Sequence, residues 1–187
     1  MTNSKLPVIM DSDVLIALLK AGLVRILHCF SELEFIITET NYAEINREKE
    51  RFDLDLAISK GDLKVVELNT PASLTKFAGL LKYIDPGEAA VITLAALNGA
   101  HVAMHDRVGR RIAITQLSGS RVHRLEDIIV DAVRNGCISL EEANDSTNRL
   151  KVANDYLPSF ANVGIKEVLS NPEFGIIQEI PNNTGVS

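Results

Sequence analysis

Val8-Ile9-Met10-Asp11-Ser12-Asp13-Val14-Leu15-Ile16 joins a short apolar run to two carboxylates one residue apart, and an apolar helical pattern follows at once. Apolar runs of strand length mark strands buried on both faces, hence a parallel sheet under helices. Such a strand delivers Asp11 to the carboxyl edge of a sheet, where open α/β folds bind their ligands. An acid at that edge is poorly placed for a core and well placed for a metal or a phosphate.

Outward from this stretch, strand-like and helix-like segments alternate. Strand patterns fall at residues 34–38, 63–68, 102–104 and 121–123. Helix patterns fall at residues 13–22, 23–30, 52–59, 71–81, 107–116, 125–134 and 140–152, with a further short helix through Tyr42, Ala43, Glu44 and Ile45. Asp85-Pro86-Gly87-Glu88 opens an alanine-rich helix that stops near Asn98-Gly99. Alternation of this kind predicts a three-layer α/β/α sandwich with a mainly parallel central sheet of four to five strands. The 187 residues suffice for one domain, expected over residues 1–153. Residues 154–187 are expected to form a weakly structured tail or a partner or dimer segment, because Asn171-Pro172 and Pro181-Asn182-Asn183 break the pattern.

Composition narrows the class. At 46% hydrophobic and 24% charged the chain reads as an ordinary globular protein. No apolar run reaches membrane-spanning length. Thr2-Asn3-Ser4-Lys5 runs straight into the first strand, so no secretory signal and a cytoplasmic location are expected. Cys29 and Cys137 have no metal-ligand spacing and are expected to be small buried hydrophobes in a reducing compartment. A net charge of −6 means that any nucleic-acid binding must rest on a local basic patch.

The acids carry the chemistry, and each has a structural alternative. Asp11 or Ser12 can cap the helix that follows, but capping needs one polar side chain and Asp11-Ser12-Asp13 supplies three. Two acids so close repel unless a cation or donor lies between them. Asp13 fits a cap, or a place behind the metal ligands, better than a ligand. Asp85 and Glu88 resemble a capping box, yet Glu88 shares a helical face with Ile92 and Ala95, which should look inward. Asp106 ends a short apolar strand as Asp11 does, or caps the helix from Arg107. On neighbouring parallel strands Asp11 and Asp106 converge, and with Glu88 they form a set of hard oxygen donors suited to Mg²⁺ or Mn²⁺. Glu44, from pattern alone, is one more solvated acid.

Arg107, Arg110 and Arg111 follow Asp106 directly, with Arg121, His123 and Arg124 close behind. They form either a solvated helix face or, beside a metal site, a grip for a phosphodiester backbone. His105 adjoins Asp106 and is expected to stand behind the ligands with Ser12.

Four segments, in order, resemble the PIN-domain family of metal-dependent nucleases, most closely its toxin-like bacterial and archaeal branch. Residues 8–16 resemble the family's first strand and its Asp-Ser/Thr-Asn signature, and residues 36–45 its second strand and glutamate-bearing helix. Asp85-Pro86-Gly87-Glu88-Ala89-Ala90 resembles its Gly-Glu-Ala helix start. Residues 104–113 resemble its last acidic turn. The resemblance runs from about residue 7 to residue 135. It implies that Asp11, Glu44, Glu88 and Asp106 form the catalytic acids, of which Asp11, Glu88 and Asp106 hold Mg²⁺ or Mn²⁺. It further implies RNA hydrolysis, with Arg107, Arg110 and Arg111 on the RNA, an antitoxin protein partner and a homodimer. Asp13 stands where the family usually has Asn or Ser, and Met104 where it usually has Ser or Thr.

Two readings compete with the ribonuclease. One is an inactive PIN-like module that binds RNA or protein. The other is a phosphatase of the haloacid-dehalogenase type, for which residues 8–14 supply the apolar-Asp-x-Asp opening with Asp11 as nucleophile. The late acidic pair of that class is missing, since Asp106 is followed by Arg-Val-Gly.

Overall fold

The computed structural model describes residues 5–152 and 164–176. Its elements, in chain order, start with β1 (Leu6–Met10), α1 (Ser12–Ala21), a 3-10 turn over Val24–Cys29, β2 (Leu33–Thr38), α2 (Glu39–Glu44) and α3 (Glu48–Ser59). β3 (Lys64–Val66), α4 (Pro71–Leu80), α5 (Pro86–Asn98), β4 (His101–Ala103) and α6 (Arg107–Leu117) follow. A second 3-10 turn (Gly119–Arg121), β5 (Val122–His123), α7 (Leu125–Arg134), α8 (Leu140–Val152) and α9 (Ile165–Ser170) complete the described chain.

The sheet has five strands in the order β3-β2-β1-β4-β5, and every pairing is parallel. β1 lies at its centre. The chain steps outward through β2 and β3, then returns past β1 to lay down β4 and β5. The reversal puts a crevice at the carboxyl ends of β1 and β4, the place where such sheets bind ligands.

Strand alternation divides the core in two. Val8, Met10, Leu33, Phe35 and Ile37 face one way, into a cluster with Val14, Leu15 and Leu18 of α1 and Ile128 and Ile129 of α7. Ile9 and Val102 face the other way, against Ala89, Ile92 and Ala95 of α5. α5 is buried on all sides from Gly87 to Ala95, as a helix packed between the sheet and the helices α2, α4 and α6 must be. Each of the large side chains buried completely here stabilises the fold by about 1.5–3 kcal/mol.

α3 begins at Glu48, inside the charged run, four residues ahead of the pattern. Cys29 is exposed, not buried as expected, because it ends a 3-10 turn at the surface. Burial, with Cys29 as its neighbour, pushes the Cys137 thiol up to about 11.

Residues 164–176 pack against the domain. The Arg134 guanidinium donates to the carbonyls of Leu169 (3.0 Å), Asn171 (2.8 Å) and Phe174. The Asp127 and Asp131 carboxylates accept the backbone N–H groups of Gly175 (3.0 Å) and Ile176 (2.6 Å). Ile165, Val168 and Ile176 are buried in the α1–α7 core. The expected domain boundary at residues 153 and 154, and the expected tail at residues 154–163 and 177–187, lie outside the described residues.

Candidate functional site

The sheet edge gathers the acids. The Asp11 N–H extends the β1–β4 ladder by donating to the Ala103 carbonyl (3.0 Å), and Asp11 is then the N-cap of α1. One strand over, the Met104 N–H donates to the His123 carbonyl (3.0 Å) and Asp106 caps α6. Glu44 ends α2, and Glu88 lies in the first turn of α5. Asp11, Ser12, Asp13, Glu44, Asp85, Glu88 and Asp106 line one pocket of about 330 Å³. Among the described residues no lysine, arginine or histidine lines it.

The carboxyls are not equivalent. Burial, with Asp13 and then Glu88 as neighbouring acids, pushes Asp11 up to about 8 against the lowering by the Ser12 N–H. Burial, with Asp85 and Asp106 nearby, pushes Glu88 up to about 7, and a hydrogen bond with Asp106 adds to this. The backbone N–H of Gly109 and then that of Val108 hold Asp106 below the usual carboxylate range, at 2.8 and 2.6 Å. The contact between the two thus favours the proton on Glu88 and the charge on Asp106. Near neutral pH these side chains crowd more carboxylate than they can ionise, and among the described residues no cationic side chain lines the space between them.

Two glycines make room for this packing. A Cβ on Gly87 would lie 2.8 Å from Glu44 Oε1 and 2.9 Å from Asn41 Nδ2. A Cβ on Gly109 would collide with the Glu88 carboxylate and lie 3.0 Å from Met104 Cε. Glu44 therefore rests on the first turn of α5, and Glu88 on the first turn of α6, where helix N-termini favour negative charge.

The residues expected behind the acids divide. The Ser12 hydroxyl donates to Glu44 Oε2 (2.5 Å). Asp13 is exposed and does not turn away, because it lines the pocket with the others. The His105 side chain is not part of the lining, and its carbonyl accepts from Arg110. Among the arginines, Arg110 is half-buried and turned back onto the carbonyls of His105 and, at 3.5 Å, Met104. Arg107 and Arg111 are exposed on α6. Arg121 spends its guanidinium on the carbonyls of Ala95 and Ala100. His123 stacks on His101 with centroids 5.0 Å apart, and burial pushes it down to about 4.

Pattern reading missed three members of the site. Asp85 was read only as a cap; it accepts the Glu88 N–H (2.9 Å) and also lines the pocket. Glu88 does not complete a capping box, since its side chain goes to Asp106 instead. Asn41, completely buried, donates through its side-chain amide to Asp11 Oδ1 (3.0 Å). Gly109 carried no signal beyond its place in a quoted segment.

The donor set fits a divalent cation by its chemistry, since it consists of carboxylate oxygens with uncompensated charge. Among the described residues no group of three acids, histidines or cysteines stands as a ready-made ligand set, so the acids line one pocket without converging on a point. No helix among the described residues is long and apolar enough to cross a membrane.

The family model for the PIN domain matches residues 7–168, which includes chain beyond the segments that carry the sequence resemblance. No curated protein matches the chain significantly. The chain belongs to the PIN-domain family, whose fold is nuclease-like.

Proposed function

We propose that this PIN-domain protein is a ribonuclease dependent on Mg²⁺ or Mn²⁺, of the toxin-like kind, hydrolysing phosphodiester bonds in single-stranded or looped RNA. One observation carries the reading: a pocket at the β1–β4 crevice lined, among the described residues, by six carboxylates and no cationic side chain. Asp11, Glu88 and Asp106 would hold the ion. When bound, such an ion supplies Lewis acidity and makes water a better nucleophile near neutral pH. Glu44, steadied by Ser12 and not needed as a ligand, is the acid assigned to proton transfer. Arg107 and Arg111 at the start of α6 hold the phosphodiester backbone beside Asp106. Arg110 supports them indirectly, by fixing the turn that carries Asp106. No covalent protein intermediate is required. An antitoxin protein, a homodimeric state and a cytoplasmic location belong to the same proposal.

The inactive module that binds RNA or protein remains as a second reading because of Met104. Met104 stands where the family usually has a hydroxyl, and its terminal methyl lies beside Gly109 near the Glu88 carboxylate without offering a hydrogen bond. The phosphatase reading loses further ground, since among the described residues no lysine lines the pocket to neutralise a phosphoryl group. Incubating the purified protein and Asp11→Asn with RNA and Mn²⁺ decides. Cleavage by the parent alone supports the ribonuclease, whereas equal cleavage by both, or by neither, contradicts it.

A further inference from the structure

We propose that Asn41 is the positioning residue of Asp11: its amide, keyed by the Thr38 hydroxyl, occupies one carboxylate oxygen and leaves the other for a divalent cation. This rests on the reading of the pocket as a cation site.

The hydrogen bonds fix the direction of the amide. The Asn41 backbone N–H donates to Thr38 Oγ1 (3.2 Å). The Thr38 hydroxyl proton is then free to go to Asn41 Oδ1, with which it is in contact. With Oδ1 committed, Nδ2 must face Asp11, and it donates to Asp11 Oδ1 (3.0 Å). A flipped amide would set two acceptor oxygens against each other at Asp11, in a place where Thr38 and Asn41 are both almost fully buried. The Ser12 N–H lands on the same Asp11 oxygen (2.9 Å). Asp11 Oδ2 accepts no hydrogen bond among the described residues, and Asp11 lines the pocket.

Three elements enclose the amide. Thr38 ends β2, Asn41 lies in α2, and the first turn of α5 presses so close that a Cβ on Gly87 would lie 2.9 Å from Asn41 Nδ2. The choice of an amide also has a reason. A lysine or arginine at this position would bring a positive charge that repels a cation. An amide orients the carboxylate and adds no positive charge.

The test uses Mn²⁺ alone as the probe, with the free ion counted by its paramagnetic resonance signal, and circular dichroism melting in EDTA to establish folding. Asn41→Ala is expected to bind Mn²⁺ at least about tenfold more weakly than the parent, the usual scale for a residue that orients a ligand. Thr38→Val, which releases the amide, is expected to weaken Mn²⁺ binding as well, and Thr38→Ser, which keeps the hydroxyl, to restore it. Folded Asn41→Ala with parental Mn²⁺ affinity would overturn the proposal. If Asn41→Ala does not fold, equal Mn²⁺ affinity in Thr38→Val and Thr38→Ser overturns it instead. A parent protein that binds no Mn²⁺ would overturn the cation-site reading itself, a result distinct from both.

Discussion

Asp11→Asn should make the cation-free protein more stable, and by an amount that grows with pH. In the fold the Asp11 carboxyl is raised from 3.8 to about 8, chiefly by burial. The unfolded chain therefore ionises this group from about pH 4 upward while the folded chain still holds its proton, so stability is full below the unfolded value and is lost as pH rises towards about 8. At about 1.4 kcal/mol per pH unit, the loss at pH 7 reaches about 4 kcal/mol, or about 2 kcal/mol if Glu88 takes up part of the strain by keeping its own proton. Asparagine has nearly the same shape, keeps an oxygen for the Ser12 and Asn41 donors, and cannot ionise. Urea unfolding in EDTA, followed by circular dichroism at several pH values, gives the difference between variant and parent. It should be near zero at about pH 4 and reach about 2–4 kcal/mol at pH 7. Saturating Mn²⁺ should stabilise the parent and close the gap, because a ligand that binds only the folded state adds to its stability. A difference that does not change with pH, or a less stable variant at pH 7, would refute the electrostatic argument.

Other changes should act separately. Gly109→Ala places a methyl group against the Glu88 carboxylate, so it should weaken Mn²⁺ binding and cost about 1–3 kcal/mol of stability, read by titration and by urea unfolding. Reversing charge in Arg107→Glu together with Arg111→Glu should weaken RNA binding and flatten its salt dependence by about 1.4 in log–log slope, with Mn²⁺ affinity unchanged in a nitrocellulose-filter and titration pair. Arg134→Met releases the carbonyls of Leu169, Asn171 and Phe174; it should cost about 2 kcal/mol of stability and open residues 164–176 to limited proteolysis, with no change in Mn²⁺ affinity.

Those parts of the site that follow from strand ends were legible in the residues. A short continuous apolar run that stops at an acid puts that acid at the carboxyl end of a strand, and Asp11 and Asp106 both line the pocket at the β1–β4 edge. Glu88 was legible from its helical face, since Ile92 and Ala95 on that face are completely buried. Glu44 had no such signature. It lies on a six-residue helix, too short to show a face, and only the family resemblance singled it out. Asn41 was hidden for a related reason, because the carboxylate it holds, that of Asp11, comes from elsewhere in the chain. The fate of Arg110 was equally out of reach, since the carbonyls it binds leave no mark in the side-chain pattern. The docking of residues 164–176 depends on Asp127, Asp131 and Arg134, which share one face of α7, and the backbone groups they hold leave no mark in the side-chain pattern.

The most direct test of the central claim is cleavage of an end-labelled RNA by the parent protein and by Glu88→Gln, each in Mn²⁺ and in EDTA. The account predicts internal cleavage by the parent in Mn²⁺ only, with the variant reduced by at least about a hundredfold. Cleavage by the parent in EDTA, undiminished cleavage by Glu88→Gln, or no cleavage by the parent in Mn²⁺ would contradict it.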